Sequence, residues 1–309
     1  MNTIDLQVHS NASDGRHSPS EVVAMAKERG VQVISLTDHD TVAGLPEAIK
    51  AGQELGVKVI PGIEISAEEH GIHLLGYGLD YKNAELLVLL EEAKQNRLAG
   101  AKKMAKNLKQ AGFVIEWEDI LKEAVSAAVI ARPHLARAVL HHSENKEKLA
   151  GISSVGDFIN AHLSDTSPNY VKRNHINAVS AIRVINRAGG VAIWSHPPLP
   201  DFGEGEGKYE ELEKFLLQLI GWGLQGIEVF NSAHAEDDTE FLVSLGAKYK
   251  LLYTAGSDFH EKGLATLPKA ELPSAITVGD YETYGFSTED IVFKLEEAMQ
   301  ARKIVLEKR

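Results

Sequence analysis

The feature that most constrains the fold is a repeated alternation of short apolar runs and helical patterns. The first helix opens with a capping box, in which Ser18 precedes Glu21 by three residues. Strands that alternate with helices predict βαβ units and a parallel sheet with helices packed against it. We therefore predict seven parallel strands, at 4–8, 31–37, 57–65, 73–79, 191–195, 226–230 and 251–255.

One long stretch interrupts this alternation. No convincing strand is found between about residues 81 and 187, where a long polar helix is followed by shorter helical segments. We predict a barrel domain formed by 1–99 and 176–309 and a helical insertion formed by 100–175.

The composition limits the function classes. The chain has 309 residues, no cysteine, and 32 basic against 44 acidic residues, a formal net charge of −12. The lack of cysteine excludes disulfides, thiolate metal sites and a cysteine nucleophile. The acidic balance argues against an extended nucleic-acid surface. Without a signal-peptide pattern or a long apolar run, we expect a cytoplasmic protein with no membrane contact.

Potential metal ligands gather where the predicted strands end. In closed α/β barrels the functional groups lie at the carboxyl ends of the strands, so these side chains are expected to share one rim. A lone histidine is more often structural, but this placement of the whole set favours ligands. The set consists of Gln7, His9, Asp38, His39, Asp40, Glu64, His196, Glu228, Asn231, Asp258 and His260, with His73 opening the remaining strand.

The chemistry of the set indicates the kind of ion. Imidazole and carboxylate without thiolate suit Zn, Mn or Fe. Asp38 and Asp40 flank His39, and a carboxylate commonly accepts the second N–H of a metal-bound imidazole. Asp14 is a further candidate ligand. The alternative is that Asp14 is only a turn residue, because Asp followed by Gly is a common turn sequence.

Taken together, these motifs resemble the polymerase and histidinol phosphatase (PHP) family of metal-dependent phosphoesterases. The resemblance covers about 1–80 and 176–265, and it implies a distorted seven-stranded (β/α)7 barrel with up to three metals. The matching segments are Asp5-Leu6-Gln7-Val8-His9-Ser10, Ser13-Asp14-Gly15, Thr37-Asp38-His39-Asp40-Thr41, Pro61-Gly62-Ile63-Glu64, His73-Leu74-Leu75-Gly76-Tyr77, Ser195-His196-Pro197 and Gly256-Ser257-Asp258-Phe259-His260.

The resemblance also implies two or three divalent ions (Mn, Fe or Zn) and a metal-bridged hydroxide as nucleophile. Glu64, as a bridging ligand, and His196, as a ligand of the second metal, would take part in catalysis, and Asp40 is a candidate proton donor. The implied ligand sets are His9, Glu64 and Asp258 for the first metal, Glu64, His73 and His196 for the second, and Asp14, His39 and His260 for the third.

The sequence departs from the family pattern at one ligand position. The family signature opens with two histidines separated by one residue, and Gln7 stands in place of the first. An amide oxygen is a poorer ligand than imidazole for Zn or Mn. We therefore predict that the first metal is the most weakly held, with Gln7 as its weakest ligand.

The insertion contributes a motif for phosphate. Arg132-Pro133-His134 resembles the Arg-x-His element of the subgroup that acts on nucleotide phosphates, and guanidinium binds phosphate in a bidentate fork. Arg132 and His134 would hold a second phosphate, and Asn231 and His234 are further candidates for substrate contact. A solvated helix-start cation is the alternative for Arg132.

We therefore predict a metal-dependent phosphoesterase whose substrate is a nucleoside 3′,5′-bisphosphate or a short 5′-phosphorylated oligonucleotide. Two alternatives stay open. One is a histidinol-phosphate-type phosphatase. The other is a catalytically impaired binding module, an alternative supported by Gln7 because it replaces a histidine of the family pattern. The oligomeric state is not predicted.

Overall fold

The computed structural model describes residues 2–152, 154–164, 166–171, 176–197, 207–261 and 277–307. Seven strands form one sheet: β1 Ile4–Val8, β2 Val33–Leu36, β3 Lys58–Ser66, β4 His73–Tyr77, β5 Val191–Ser195, β6 Gly226–Asn231 and β7 Leu252–Gly256. The described α-helices are α1 Pro19–Glu28, α2 Leu45–Leu55, α3 Ala84–Gln110, α4 Trp117–Glu123, α5 Arg132–His141, α6 Val155–Phe158, α7 Ala178–Arg187, α8 Gly207–Trp222, α9 Glu236–Tyr249 and α10 Ile291–Glu307.

The helices begin where local side chains satisfy their free backbone N–H groups. The capping box predicted at α1 is present, with Ser18 and Glu21 bonded reciprocally to each other's backbone. Asn83 caps α3 and Asn177 caps α7 through side-chain oxygens. The chain leaves α2 at Gly56, which adopts the left-handed conformation that glycine takes without strain.

The strands follow one another in chain order around the sheet. β1, β2 and β3 are mutually parallel, as are β5, β6 and β7. β4 runs antiparallel to both of its neighbours, so the prediction of seven parallel strands is wrong for this strand. The reason is the short connection 67–72, since a parallel return needs a crossover of about a dozen residues or more.

The sheet closes between its first strand and the residues that follow its last strand. Val8 pairs with Phe259 in a parallel bridge, and the backbone N–H of His9 donates to the carbonyl of Phe259 over 2.8 Å. Gly256 permits this approach, because a Cβ there would lie 2.5 Å from the Cβ of Gln7. The distorted seven-stranded (β/α)7 barrel is therefore confirmed.

The buried apolar residues form two clusters. One fills the barrel and its helical cover, and it includes Leu86 and Leu90 from the first half of α3. The other lies among the insertion helices, and it includes Met104 and Leu108 from the second half of α3. α3 thus supplies apolar side chains to both clusters. The domain limits at 99/100 and 175/176 stay a prediction.

No helix in the described part of the chain is long and apolar enough to cross a bilayer. The cytoplasmic location stays a prediction.

Candidate metal centre

The candidate site lies at the carboxyl ends of β1, β2, β3, β5 and the segment after β7. Three of its residues have positive φ angles: Asp40 (51°), His196 (20°) and Asp258 (54°). Such angles are uncommon for residues with a side chain, and they concentrate at functional sites. His73 joins this rim because β4 is antiparallel, which places its first residue opposite Ser66 and Ser195.

Glu64 is the centre of the site. The residue is fully buried, and four imidazoles lie within 3.4 Å of its carboxylate oxygens. The His73 Nδ1 and His196 Nε2 atoms lie 2.8 and 3.1 Å from its Oε1 atom. The His9 Nε2 and His39 Nδ1 atoms lie 3.0 and 3.4 Å from its Oε2 atom. One carboxylate thus faces four imidazole nitrogens, an arrangement in which a carboxylate can be shared between cations.

The potential ligand atoms fall into three groups, each with its atoms within 4.8 Å of one another. Glu64 and His39 belong to two groups each, as does His9. We refer to them as the first, second and third ligand groups: respectively His9, Glu64 and Asp258; His39, Glu64 and His73; and His9, Asp14, His39 and His260.

The three groups closely follow the ligand sets implied by the family. The first group is the same set of three residues. In the second group His39 stands with Glu64 and His73, while His196 reaches the same carboxylate through its own 3.1 Å contact. In the third group His260 Nε2 lies 3.4 Å from Asp14 Oδ1, and the rings of His9 and His260 stack at 4.1 Å.

Neighbouring imidazoles keep two buried carboxyl groups of the centre ionised. Burial alone would raise the pKa of Glu64, but His39 and His73 outweigh it and hold the pKa well below its usual range. Burial also acts against ionised Asp258, yet His260 and His9 lower its pKa to about 2. Both carboxyls are therefore anionic at neutral pH, the form that binds cations.

The imidazoles divide into two kinds. Burial lowers the pKa of His39 to about 3, so its ring is neutral and can offer a lone pair. Burial would also lower the pKa of His196, but the hydrogen bond with Glu64 raises it to about 9. Burial would lower the pKa of His9 too, but the carboxylates of Asp258 and Glu64, 3.1 and 3.0 Å from its Nε2 atom, raise it well above its usual value. A bound cation would take the place of the protons that these two rings hold.

The donor set fits divalent metal ions. Among the described residues, the buried His9 Nε2, His39 Nδ1 and Glu64 Oε2 atoms face one another and lack a well-directed hydrogen bond. Buried polar atoms are nearly always satisfied, so atoms that converge without hydrogen bonds point to a ligand between them. Imidazole and carboxylate are the donors that Mn, Fe and Zn accept.

Gln7 lies fully buried beside these groups, and its amide forms hydrogen bonds with other protein side chains. Its Nε2 atom donates to Ser195 Oγ over 3.0 Å, and its Oε1 atom accepts from Asn231 Nδ2 over 3.2 Å. Ser195 Oγ in turn donates to Glu64 Oε1. The amide therefore connects β1 with β5 and β6. Its predicted role as a weak ligand of the first metal stays a prediction.

Two buried aspartates hold the backbone behind the ligands. Asp5 accepts hydrogen bonds from Ser257, both N and Oγ, and from the N–H of Gly279, which fixes the chain next to Asp258. Asp38 accepts from Ser10 and Ser13 and so anchors the turn that carries Asp14. Support of this kind orients the ligands of metal centres.

Asp40 was predicted as a proton donor. Its Oδ2 atom lies 2.5 Å from Arg97 Nε, and its Oδ1 atom accepts from the backbone N–H of Ser66. Burial acts to raise the pKa of Asp40, but Arg97 and His39 outweigh it and lower the pKa. This is opposite to the direction that a proton donor at neutral pH requires.

The two insertion residues chosen for phosphate binding have different surroundings. Arg132 is the first residue of α5, where its Nη1 atom donates to the carbonyl of Leu163 and its guanidinium lies 5.6 Å from the Tyr170 ring centroid. His134 is buried, and its Nδ1 atom accepts from the N–H of Ala131. Burial lowers the pKa of His134 to about 4, against the raising effect of Asp14.

The two strand-end candidates for substrate contact are buried and engaged with the protein. Asn231 donates to Gln7 and Glu228 and accepts from the N–H of Ala233. His234 contacts the carbonyl of Val229 through Nδ1. Their substrate roles stay predictions.

Two buried arginines next to the site, Arg97 and Arg137, were not identified from the sequence. Arg97 binds Asp40 and also donates to Ser66 Oγ. Arg137 donates to the carbonyl of Asp14. Glu228, a member of the predicted strand-end set that was given no specific role, accepts from the N–H of His196, and burial raises its pKa to about 8.

The PHP domain model matches residues 5–221 of this chain. The chain belongs to the PHP domain family. This PHP protein is similar to three relatives over most of their length. It is 32% identical to a 5′-3′ exoribonuclease of Haemophilus influenzae over 83% of this chain and 89% of that protein. It is 30% identical to a 3′,5′-nucleoside bisphosphate phosphatase of Chromobacterium violaceum over 85% and 89%.

The third relative carries another substrate in its name. It is a phosphoribosyl 1,2-cyclic phosphate 1,2-diphosphodiesterase of Eggerthella lenta, 33% identical over 84% of this chain and 94% of that protein. The PHP fold is also matched by a crystal structure from Bifidobacterium adolescentis, described as a candidate metal-dependent phosphoesterase. That structure has a TM-score of 0.76 and 27% identity, and it covers 96% of both chains.

Proposed function

We propose that this PHP-family phosphoesterase hydrolyses a nucleoside 3′,5′-bisphosphate or releases nucleotides from a short 5′-phosphorylated oligonucleotide. The observation that carries the proposal is the convergence of four imidazoles on the buried carboxylate of Glu64. A centre of this kind binds cations, and cations attract the phosphate of a substrate to an acidic protein. Two of the named relatives act on substrates of these classes by name.

The residues of the metal centre would have separate roles in binding ions and in holding the ligands. Bound divalent ions would lower the pKa of a water molecule and neutralise charge on the phosphoryl oxygens. Mn, Fe or Zn would be held, as two or three ions, by the first, second and third ligand groups, with His196 added to the second. Asp5 and Asp38 keep the ligand-bearing turns in place. Asp40, whose pKa Arg97 and His39 lower, would stay an anion and hold the backbone of Ser66, so its predicted role as a proton donor is not part of the proposal.

The insertion would supply selectivity. His134 is kept neutral by burial, and with Nδ1 accepting from Ala131 its proton is on Nε2, which can donate to a phosphate oxygen. Arg132 would provide a charge-assisted contact to the second phosphate by exchanging the carbonyl of Leu163 for the ligand.

A substrate panel tests the proposal. The purified chain, loaded with Mn²⁺, is assayed with a nucleoside 3′,5′-bisphosphate, a 5′-phosphorylated dinucleotide, histidinol phosphate, a phosphoribosyl 1,2-cyclic phosphate and an aryl phosphate. We expect the highest kcat/KM for one of the first two. A higher value for histidinol phosphate or the cyclic phosphate contradicts the substrate class. Metal binding without turnover of any of them indicates a binding module instead.

A further inference from the structure

Arg137 projects from the insertion helix α5 into the back of the third ligand group. The residue is only 3% exposed. Its Nη2 atom donates to the backbone carbonyl of Asp14 over 3.2 Å and lies 3.1 Å from Glu261 Oε2. Glu261 directly follows His260 in the chain. One guanidinium therefore joins the two segments that carry Asp14 and His260.

Other contacts bind these same segments to each other and to the insertion. The N–H of Ala128, in the insertion, donates to the carbonyl of Ala12 over 2.8 Å. The N–H of Arg16 donates to the carbonyl of His260 over 2.9 Å. Gly15 completes the turn, because a Cβ there would lie 2.7 Å from the carbonyl oxygen of His9. The turn is thus packed too tightly to shift without its neighbours.

The chemistry of the guanidinium explains why arginine is needed at this point. A buried cation is stable only when it is paired and hydrogen-bonded. Both contacts are made by the Nη2 group of Arg137, and a guanidinium keeps its charge when buried, whereas a buried lysine loses its proton readily. The Asp14 carbonyl held by Arg137 belongs to the same residue whose Oδ1 atom faces His260 Nε2 at 3.4 Å. Fixing the backbone of Asp14 therefore limits the positions that its carboxylate can take relative to His260.

We propose that Arg137 is a positioning residue that couples the helical insertion to the third ligand group, so that the insertion controls how tightly one metal ion is held. The inference rests on the proposed function, because the third group must bind an ion. It assigns different tasks to the two arginines of α5. Arg132 lies by Leu163 and Tyr170, whereas Arg137 reaches the centre through Asp14.

Mn²⁺ titration of the full chain tests the proposal, with the number and affinity of ions measured by calorimetry and elemental analysis. Arg137→Met keeps the apolar stem and removes the donors. We expect it to weaken one ion by about 10–100-fold, the range for partners that orient ligands, and to leave the others unchanged. Arg183→Met, on an exposed position of α7, is the matched control and should bind as the wild type does.

A double-mutant cycle shows whether Arg137 acts through Asp14. Asp14→Asn should weaken the same ion, and Arg137→Met should add little more to it, because the two changes remove one function. Additive losses contradict the proposal. Unchanged metal binding with a raised KM also contradicts it, since it indicates direct substrate contact.

Folding and the proposed function are tested separately. Circular dichroism and urea unfolding report whether Arg137→Met is folded. If it is not, Glu261→Gln weakens the same contact at a partly exposed carboxylate and should reduce affinity at the same site to a smaller extent. Unchanged affinity in that variant overturns the proposal. A wild-type chain that binds no Mn²⁺ and releases no phosphate contradicts the proposed function instead.

Discussion

The Nδ1 atom of His73 lies 2.8 Å from the Oε1 atom of Glu64, across the antiparallel pair β3 and β4. This contact depends on the reversed direction of β4, which brings the first residue of that strand to the rim where the other strands end. Glu64 consequently has imidazoles on both of its oxygens. A carboxylate placed in this way can be shared between ions.

Replacement of Gln7 tests the position at which this chain departs from its family. Gln7→His would place an imidazole beside His9, and we expect one Mn²⁺ ion to bind at least about tenfold more tightly, with activity at low metal rising accordingly. Calorimetric titration of both proteins measures the change. Equal numbers of ions with equal affinities would mean that Gln7 has no bearing on the metals and serves only its bonds to Ser195 and Asn231.

Arg132→Ala should remove a preference for substrates with two phosphates. A charge-assisted hydrogen bond is worth about 1.5–3 kcal/mol, which corresponds to roughly 10–150-fold in kcat/KM. Hydrolysis of a simple aryl phosphate should change little. The check is kcat/KM for a bisphosphate, a monophosphate and the aryl ester in both proteins. An equal loss on all three would make Arg132 a structural residue that holds Leu163 and Tyr170.

The sequence predicted the barrel well because its signals are local. Strand ends, caps and the run of ligands can each be read within a few residues, as at Ser18 and Glu21. The direction of β4 was missed although a signal was available, since the six residues 67–72 are too few for a parallel crossover.

Arg97 and Arg137, which were not identified from the sequence, differ in how clearly the sequence indicates that they are buried. Arg97 occupies the buried stripe of α3 together with Leu90, Ala93 and Ala101, and a charge in such a stripe marks a buried ion pair. Arg137 had no comparable signal, because α5 is buried continuously from Pro133 to Val139. Its partners, Asp14 and Glu261, are more than 120 residues away in the chain.

The buried ion pair of Arg97 and Asp40 should be important for stability. Arg97→Met leaves the Asp40 carboxylate without its cation, and we expect the free energy of unfolding to fall by about 3–5 kcal/mol. The exposed pair of Arg187 and Glu85 is the matched comparison, and Arg187→Met should cost at most about 1 kcal/mol. Urea unfolding in the presence of chelator measures both. Similar losses in the two variants would contradict the assignment.

His134 should make the metal-free protein less stable in acid. Its pKa is about 4 in the folded protein and about 6.5 when unfolded, so the unfolded chain takes up the proton first. Stability is therefore lost as the pH falls from about 6.5 towards 4, with a slope approaching about 1.4 kcal/mol per pH unit for one proton. His134→Asn keeps an acceptor for Ala131 and should lose stability less steeply. Parallel curves for the two proteins, measured by urea unfolding in chelator, would rule out this contribution.

The most direct test of the account is the metal content and phosphate release of Glu64→Gln beside the wild type. The wild type should bind two or three ions per chain and lose its activity to a chelator. In Glu64→Gln we expect loss of bound ions and a fall in turnover larger than the roughly 10–100-fold that partners outside the ligand shell cost. His141→Ala, at an exposed residue paired with Glu123, should leave both quantities unchanged. Full metal content and wild-type turnover in Glu64→Gln would contradict a centre built on that carboxylate.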